Sequence, residues 1–195
     1  MSRLPATASR RLLPLLIAFV LAPAGTALAC GEYRHEGARA AKARGALVVG
    51  DSITYGAAGG LSRHGFEVDA RACRFVPAGL AVLRWRARHH RLPRRVVVAL
   101  GSNGTYSVHE LMTTLRVIGR HRRLILVTPR EARGLPEADA RRIRWFAHRM
   151  PWRVRVVDWA RRSHRHPSWF GPDGLHLTAH GYDAFARGIA RAVRR

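Results

Sequence analysis

Ser52, Asn103, Asp173 and His176 are the residues whose types and surroundings carry chemistry, and three of the four stand just past a short apolar run or just before a helical one. Gly50-Asp51-Ser52-Ile53-Thr54 directly follows Ala46-Leu47-Val48-Val49. A serine on such a turn is presented at the end of a strand, with backbone N–H groups nearby that can face an anion. Its hydroxyl is a poor nucleophile until a base accepts its proton, and histidine is suited to that task near neutrality. Asp173-Gly174-Leu175-His176 supplies such a base, with a carboxylate three residues earlier that can curl back to hold the other ring nitrogen. Gly101-Ser102-Asn103-Gly104 adds an amide able to donate to a developing oxyanion, and Gly101 lets the backbone come close. Taken singly, each block also reads as an ordinary turn. Asp51 and Ser52 are common turn and cap residues, Asp173 to His176 can lead into a helix cap, and Asn103-Gly104-Thr105 scans as a glycosylation acceptor. Their shared order and placement favour the chemical reading, with Ser52, His176 and Asp173 as catalytic residues, Asn103 as an oxyanion donor, and Asp51 and Gly101 in support.

The elements that must position these residues alternate along the chain. Apolar runs at Ala46–Val49, Phe66–Asp69, Val96–Leu100, Leu124–Val127 and Val154–Val157 predict five strands covered on both faces. Helical patterning is found near Ala78–His90, Val108–His121 and Pro136–His148, and again from Thr178 to the C-terminus, with Ser107 and Thr178 as N-caps. Alternating strands and helices imply right-handed crossovers and an α/β fold, a parallel sheet sandwiched between helices. Sites in such sheets form beyond the carboxyl ends of the strands, where Ser52, Cys73 and Asn103 fall.

The Gly-Asp-Ser, Gly-x-Asn and Asp-x-x-His blocks resemble those of the SGNH (GDSL-like) hydrolases over roughly residues 46 to 192. Several stretches are most similar to the SGNH domains of bacterial cell-wall (peptidoglycan) O-acetyltransferases: Val68-Asp69-Ala70-Arg71, Leu100 to Gly104, Val157-Asp158-Trp159 and Trp169 to Thr178. The resemblance implies a flavodoxin-like, three-layer α/β/α sandwich around a five-stranded parallel sheet. It implies Ser52 as nucleophile, His176 as base and Asp173 as its partner, acting on an ester bond with no metal or organic cofactor. The oxyanion hole would comprise the Ser52 N–H, a second-block N–H and the Asn103 side chain. Where the family usually has glycine in the second block, this chain has Cys73, which keeps the N–H and adds a Cβ. Asp158 is an alternative carboxylate and reads instead as a residue that caps or ties a loop. His164 and His166 lack clustered acidic or cysteine ligands, so they read as solvated.

Composition sets the compartment and the partners. The chain has 195 residues and a formal net charge of +23, with Lys42 as its one lysine. A surface so basic attracts polyanions such as an anionic cell wall or membrane. The arginines are spread from Arg34 to Arg195, without the clustering, stacking aromatics or motifs of a specific nucleic-acid module. Arg3, Arg10 and Arg11 precede an apolar run from Leu12 to Ala22, and small residues end at Ala27-Leu28-Ala29. That order predicts a signal peptide over 1–29, a polar lead over 30–45 and the hydrolase domain over 46–195. Ser9-Arg10-Arg11-Leu12-Leu13 also resembles a twin-arginine export signal. The expectation is a secreted, periplasmic or envelope serine esterase whose substrate is a small ester or an acetylated carbohydrate; the alternatives are an O-acetyltransferase acting on cell-wall glycan and a non-catalytic basic envelope-binding module. Cys30 and Cys73 are open to two readings: a disulfide formed in an oxidising compartment, or a lipid on Cys30 as first residue of a lipoprotein.

Overall fold

Every residue of the run Ala46 to Gly50 is buried, and its side chains alternate between two separate cores, as a strand covered on both faces requires. The structure, a computed structural model, describes residues 30–37, 45–130 and 137–194. The expected signal peptide at 1–29 lies outside the described residues. Among the described residues there are six strands: β1 (Tyr33–Glu36), β2 (Ala46–Gly50), β3 (Phe66–Arg71), β4 (Arg95–Ala99), β5 (Arg123–Val127) and β6 (Val154–Val157). They pair in the order β1-β3-β2-β4-β5-β6, with β2 to β6 all parallel. The five expected strands are there, and their order is that of a flavodoxin-like sheet. The sixth, β1, pairs antiparallel with β3 at the edge. Its sequence, Tyr-Arg-His-Glu, has no apolar run because an edge strand outside the sandwich has neither face fully covered.

Helices α1 (Ser52–Arg63), α2 (Val76–Arg88), α3 (Val108–Ile118), α4 (Ala138–Arg149), α5 (Trp159–His164) and α6 (Ala179–Arg194) cover the sheet, and a 3-10 turn spans Pro167–Trp169. Ala57, Leu61, Phe185 and Ile189 share one core with Val48, Val97 and Ile125, so α1 and α6 lie on one face. Leu80, Leu83, Leu111, Ile118 and Ile143 share the other with Leu47, Val49, Val98 and Leu126, so α2, α3 and α4 lie opposite. Helix α3 opens on a capping box between Ser107 and Glu110, and Thr178 receives the Gly181 N–H at the start of α6. Helix α1 packs closely on α6: a Cβ at Gly56 would collide with the Tyr182 ring.

The topology leaves a crevice where the strand order reverses, between the parallel strands β2 and β4. Strand β2 feeds the turn carrying Ser52, and β4 feeds the loop carrying Asn103, so both blocks meet at that crevice.

Candidate active site

Ser52 is the first residue of α1, where helix N–H groups have no partner inside the helix. It is only 5% exposed, buried rather than on the open surface. Its Oγ lies 3.1 Å from His176 Nε2, across 124 residues of chain. His176 Nδ1 lies 2.6 Å from Asp173 Oδ2. The loop that presents this pair is closed by a bridge between Phe170 and Leu177 and by the Gly171 N–H donating to the His176 carbonyl at 2.8 Å. Asp173 Oδ1 accepts the Leu175 and His176 N–H groups at 3.0 and 2.9 Å, and Gly174 takes a φ of 69° to make that turn. Partial desolvation works to raise the Asp173 carboxyl, but the hydrogen bonds from the His176 ring and the two N–H groups win and hold it below the usual carboxylate range. The side chains of His176 and Asp173 are 41% and 50% exposed, so one wall of the site is open to water.

Asp51 stands behind the serine. Its Oδ1 accepts the Ile53 N–H at 3.1 Å, which caps α1, and its Oδ2 accepts the Ser102 hydroxyl at 2.6 Å and the Ser102 N–H at 3.3 Å. Burial pushes its carboxyl up, opposed by those hydrogen bonds to Ser102 and Ile53. The Asn103 amide donates to Ser102 Oγ at 3.2 Å. One buried carboxylate therefore ties the serine turn to the asparagine loop. An amide carries two hydrogens, so Asn103 keeps one for another acceptor. Gly101 has a φ of 112°, which allows the turn between β4 and this loop.

Cys73 sits on the loop after β3 with a φ of 56°, the left-handed conformation that glycine adopts without cost. It is joined to Cys30 in a disulfide with a Cα–Cα distance of 5.2 Å. Of the two readings of the cysteines the structure has the bridge, which occupies the Cys30 sulfur a lipid would need. Next to Cys73, the buried Arg74 donates to the Gly50 carbonyl at 3.2 Å and the Asp69 carbonyl at 2.6 Å, and pairs with Asp69 Oδ1 at 2.8 Å. The sequence reading missed Arg74 and Ser102. One arginine among so many gave no signal, and a serine between Gly101 and Asn103 reads as turn filler.

The other candidates lie apart. Asp158 caps α5 through the Arg161 N–H, accepts from Thr128 Oγ1 and pairs with Arg144 at 2.8 Å. It ties a loop, and His176 is not among these partners. His166 stacks on Trp169 with ring centroids 3.9 Å apart, and His164 lies in the last turn of α5.

No protein-family model matches the chain. A protein of Staphylococcus aureus (strain COL), provisionally named an O-acetyltransferase, is 34% identical over 101 residues, 52% of this chain and 16% of that protein. The chain thus spans about a sixth of the length of that relative. Among solved structures, the C-terminal catalytic domain of Streptococcus pneumoniae peptidoglycan O-acetyltransferase A, with a methylsulfonyl adduct, superposes with a TM-score of 0.70 at 23% identity. That match takes in 77% of this chain and 92% of the domain. A GDSL-like lipase from Bacteroides thetaiotaomicron superposes with a TM-score of 0.60 at 17% identity, over 77% of this chain and 88% of the lipase. The chain is an α/β domain with the SGNH (GDSL-like) hydrolase fold, similar in sequence to bacterial O-acetyltransferases.

Proposed function

We propose that this chain is an exported serine esterase that cleaves an acyl or acetyl ester through an acyl-enzyme. One observation carries the reading: His176 bridges the Ser52 hydroxyl at 3.1 Å and the Asp173 carboxylate at 2.6 Å. In the first step Ser52 Oγ bonds to the ester carbonyl carbon while its proton passes to His176 Nε2. The oxyanion accepts hydrogen bonds from the Ser52 N–H, the Cys73 N–H and the Asn103 amide. The intermediate collapses, the alcohol leaves with the proton from His176, and the acyl group stays on Ser52. Water then gives a proton to His176 as it attacks the acyl-enzyme, and His176 returns that proton to Ser52 Oγ as the acid is released. Asp173 keeps the imidazole oriented and stabilises its charged form throughout. Hydrolysis is the default outcome because His176 and Asp173 lie open to water.

A second reading, transfer of an acetyl group to a cell-wall glycan, is favoured by the likeness to the staphylococcal and streptococcal O-acetyltransferases. The two differ only in whether water or a sugar hydroxyl attacks the acyl-enzyme. Incubation with one acetyl donor and a glycan acceptor tests both. Free acetate alone identifies an esterase, acetylated glycan identifies a transferase, and no consumption of any acyl donor defeats both. Export belongs to the reading through the signal peptide expected from the sequence of residues 1–29 and through the Cys30–Cys73 bridge, which suits an oxidising compartment.

Asn103→Ala removes one oxyanion donor, and kcat is expected to fall by about a hundredfold or more with KM little changed. Steady-state kinetics on an aryl acetate checks this, and a rise in KM alone would move Asn103 from the oxyanion hole to substrate binding.

A further inference from the structure

A cleft of about 510 Å³ opens between β1 and α2, outside the site described above, lined among others by Tyr33, His35, Glu67, Asp69, Trp85 and Arg86. Its size falls in the range of ligand sites. Trp85 and Tyr33 are large apolar residues left 42% and 56% exposed at its walls. The Trp85 ring is held by His89, stacked at 4.4 Å, and by the Arg91 guanidinium 5.1 Å from its centre. The polar floor is equally fixed. Arg86 pairs with Glu67 at 2.7 Å and Asp69 at 3.1 Å, and His35 Nε2 lies 3.0 Å from Glu67.

The floor is balanced in charge although the chain as a whole is strongly basic. The whole chain has 12 acidic residues against 35 basic ones, yet two of the acids lie on this floor and are matched by arginines. Balanced charge does not select a polyanion. Fixed aromatic rings beside rigid carboxylates and guanidinium groups instead match a neutral polyhydroxyl ligand, whose C–H faces pack on rings and whose hydroxyls both donate and accept. Groups that hold one another in place lose little freedom on binding.

Helix α2, which forms one wall of the cleft, begins beside the loop that carries Asn103. Phe75, the N-cap of α2, is 57% exposed and borders Gly104, the neighbour of Asn103. From Phe75, Ala78, Val82 and Trp85 recur on one face of α2 at helical spacing. Ten residues of helix cover about 15 Å, the reach of a short oligosaccharide rather than of one sugar. On the floor, Asp69 grips Arg74, which donates to the carbonyl of Gly50, two residues before Ser52.

We propose that the β1–α2 cleft is a glycan-binding subsite that seats the sugar chain whose ester lies at Ser52. It deepens the acyl-transfer reading and rests on it only for what the chain carries. The test uses the chain with Trp85→Ala and, separately, Tyr33→Ala, both exposed positions whose melting temperatures are checked against the parent. Titration calorimetry with a hexamer and a dimer of β-1,4-linked N-acetylglucosamine reads binding, and aryl acetate turnover reads the acyl chemistry. The expected result is tighter binding of hexamer than dimer, about tenfold weaker hexamer binding in Trp85→Ala, a smaller loss in Tyr33→Ala, and aryl acetate kinetics within twofold of the parent. No hexamer binding by the parent, or equal binding by the parent and both variants, overturns the subsite. Loss of hexamer binding in Trp85→Ala from a parent that turns over no ester retains the subsite and removes the acyl-transfer reading instead.

Discussion

Ser52→Ala is expected to abolish ester turnover, lowering kcat by about 10⁴-fold or more, and to leave the fold in place. The size follows from the role: without Oγ no acyl-enzyme forms, and what survives is the rate supplied by binding and the oxyanion donors alone. The small effect on stability follows from the surroundings. Although Ser52 is buried, its hydroxyl has one side-chain partner, His176, whose ring is 41% exposed and regains a hydrogen bond from water. The change in stability is therefore held to about 1 kcal/mol. Two measurements check this: aryl acetate kinetics beside a thermal melt, and intact mass after treatment with a sulfonyl fluoride. The parent is expected to gain one sulfonyl group and Ser52→Ala none. Retention of most of the activity by the variant means that another residue is the nucleophile.

The residues proposed for this site stood out in the sequence because their chemistry narrows the choice of type. A nucleophile needs an oxygen, a base near neutrality needs an imidazole, and the orienting acid needs a short spacing that reaches back to it. The residues that hold the machinery were not legible, because many types can do their work. Asp51 reads as a turn residue and does cap α1, but its burial and its bond to Ser102 depend on β4 arriving beside β2. Arg74 anchors the Cys73 loop from inside the protein, and a buried arginine cannot be told from a surface one in so basic a chain.

The same division holds for the fold. Strands covered on both faces announce themselves as apolar runs, and all five parallel strands were legible within a residue or two at each end. Strand β1 was not, since Tyr33–Glu36 gains its place by pairing with Phe66–Arg71, far along the chain. Helix α1 was hidden by Gly56, Gly59 and Gly60, residues that disfavour a helix in isolation. Tertiary packing reverses that preference, because Gly56 and Gly60 let α1 approach Tyr182 and Ala186 of α6. Helix α5 is only six residues long, too short to show a period.

Breaking the Cys30–Cys73 bridge is expected to lower both the melting temperature and kcat, by separable routes. The bridge spans 43 residues of sequence, and closing a loop of that size removes about 4 kcal/mol of unfolded-state entropy on the chain-entropy model. For a domain of this length that is a fall in Tm of about 8–16 °C. The kinetic effect has a local origin. Cys73 is held at a φ of 56°, a conformation that costs a non-glycine residue about 1–2 kcal/mol and that the bridge and Arg74 sustain. Released from the bridge, Cys73 relaxes toward negative φ, its N–H turns away from the oxyanion, and kcat falls by about tenfold or more. The variant Cys30→Ser tests both effects without adding a reductant. The double variant Cys30→Ser with Cys73→Gly separates them, since glycine takes positive φ freely. It is expected to recover kcat toward that of the parent while its melting temperature stays low. Unchanged kcat in Cys30→Ser removes Cys73 from the oxyanion hole, and an unchanged melting temperature removes the bridge from the stability of the fold.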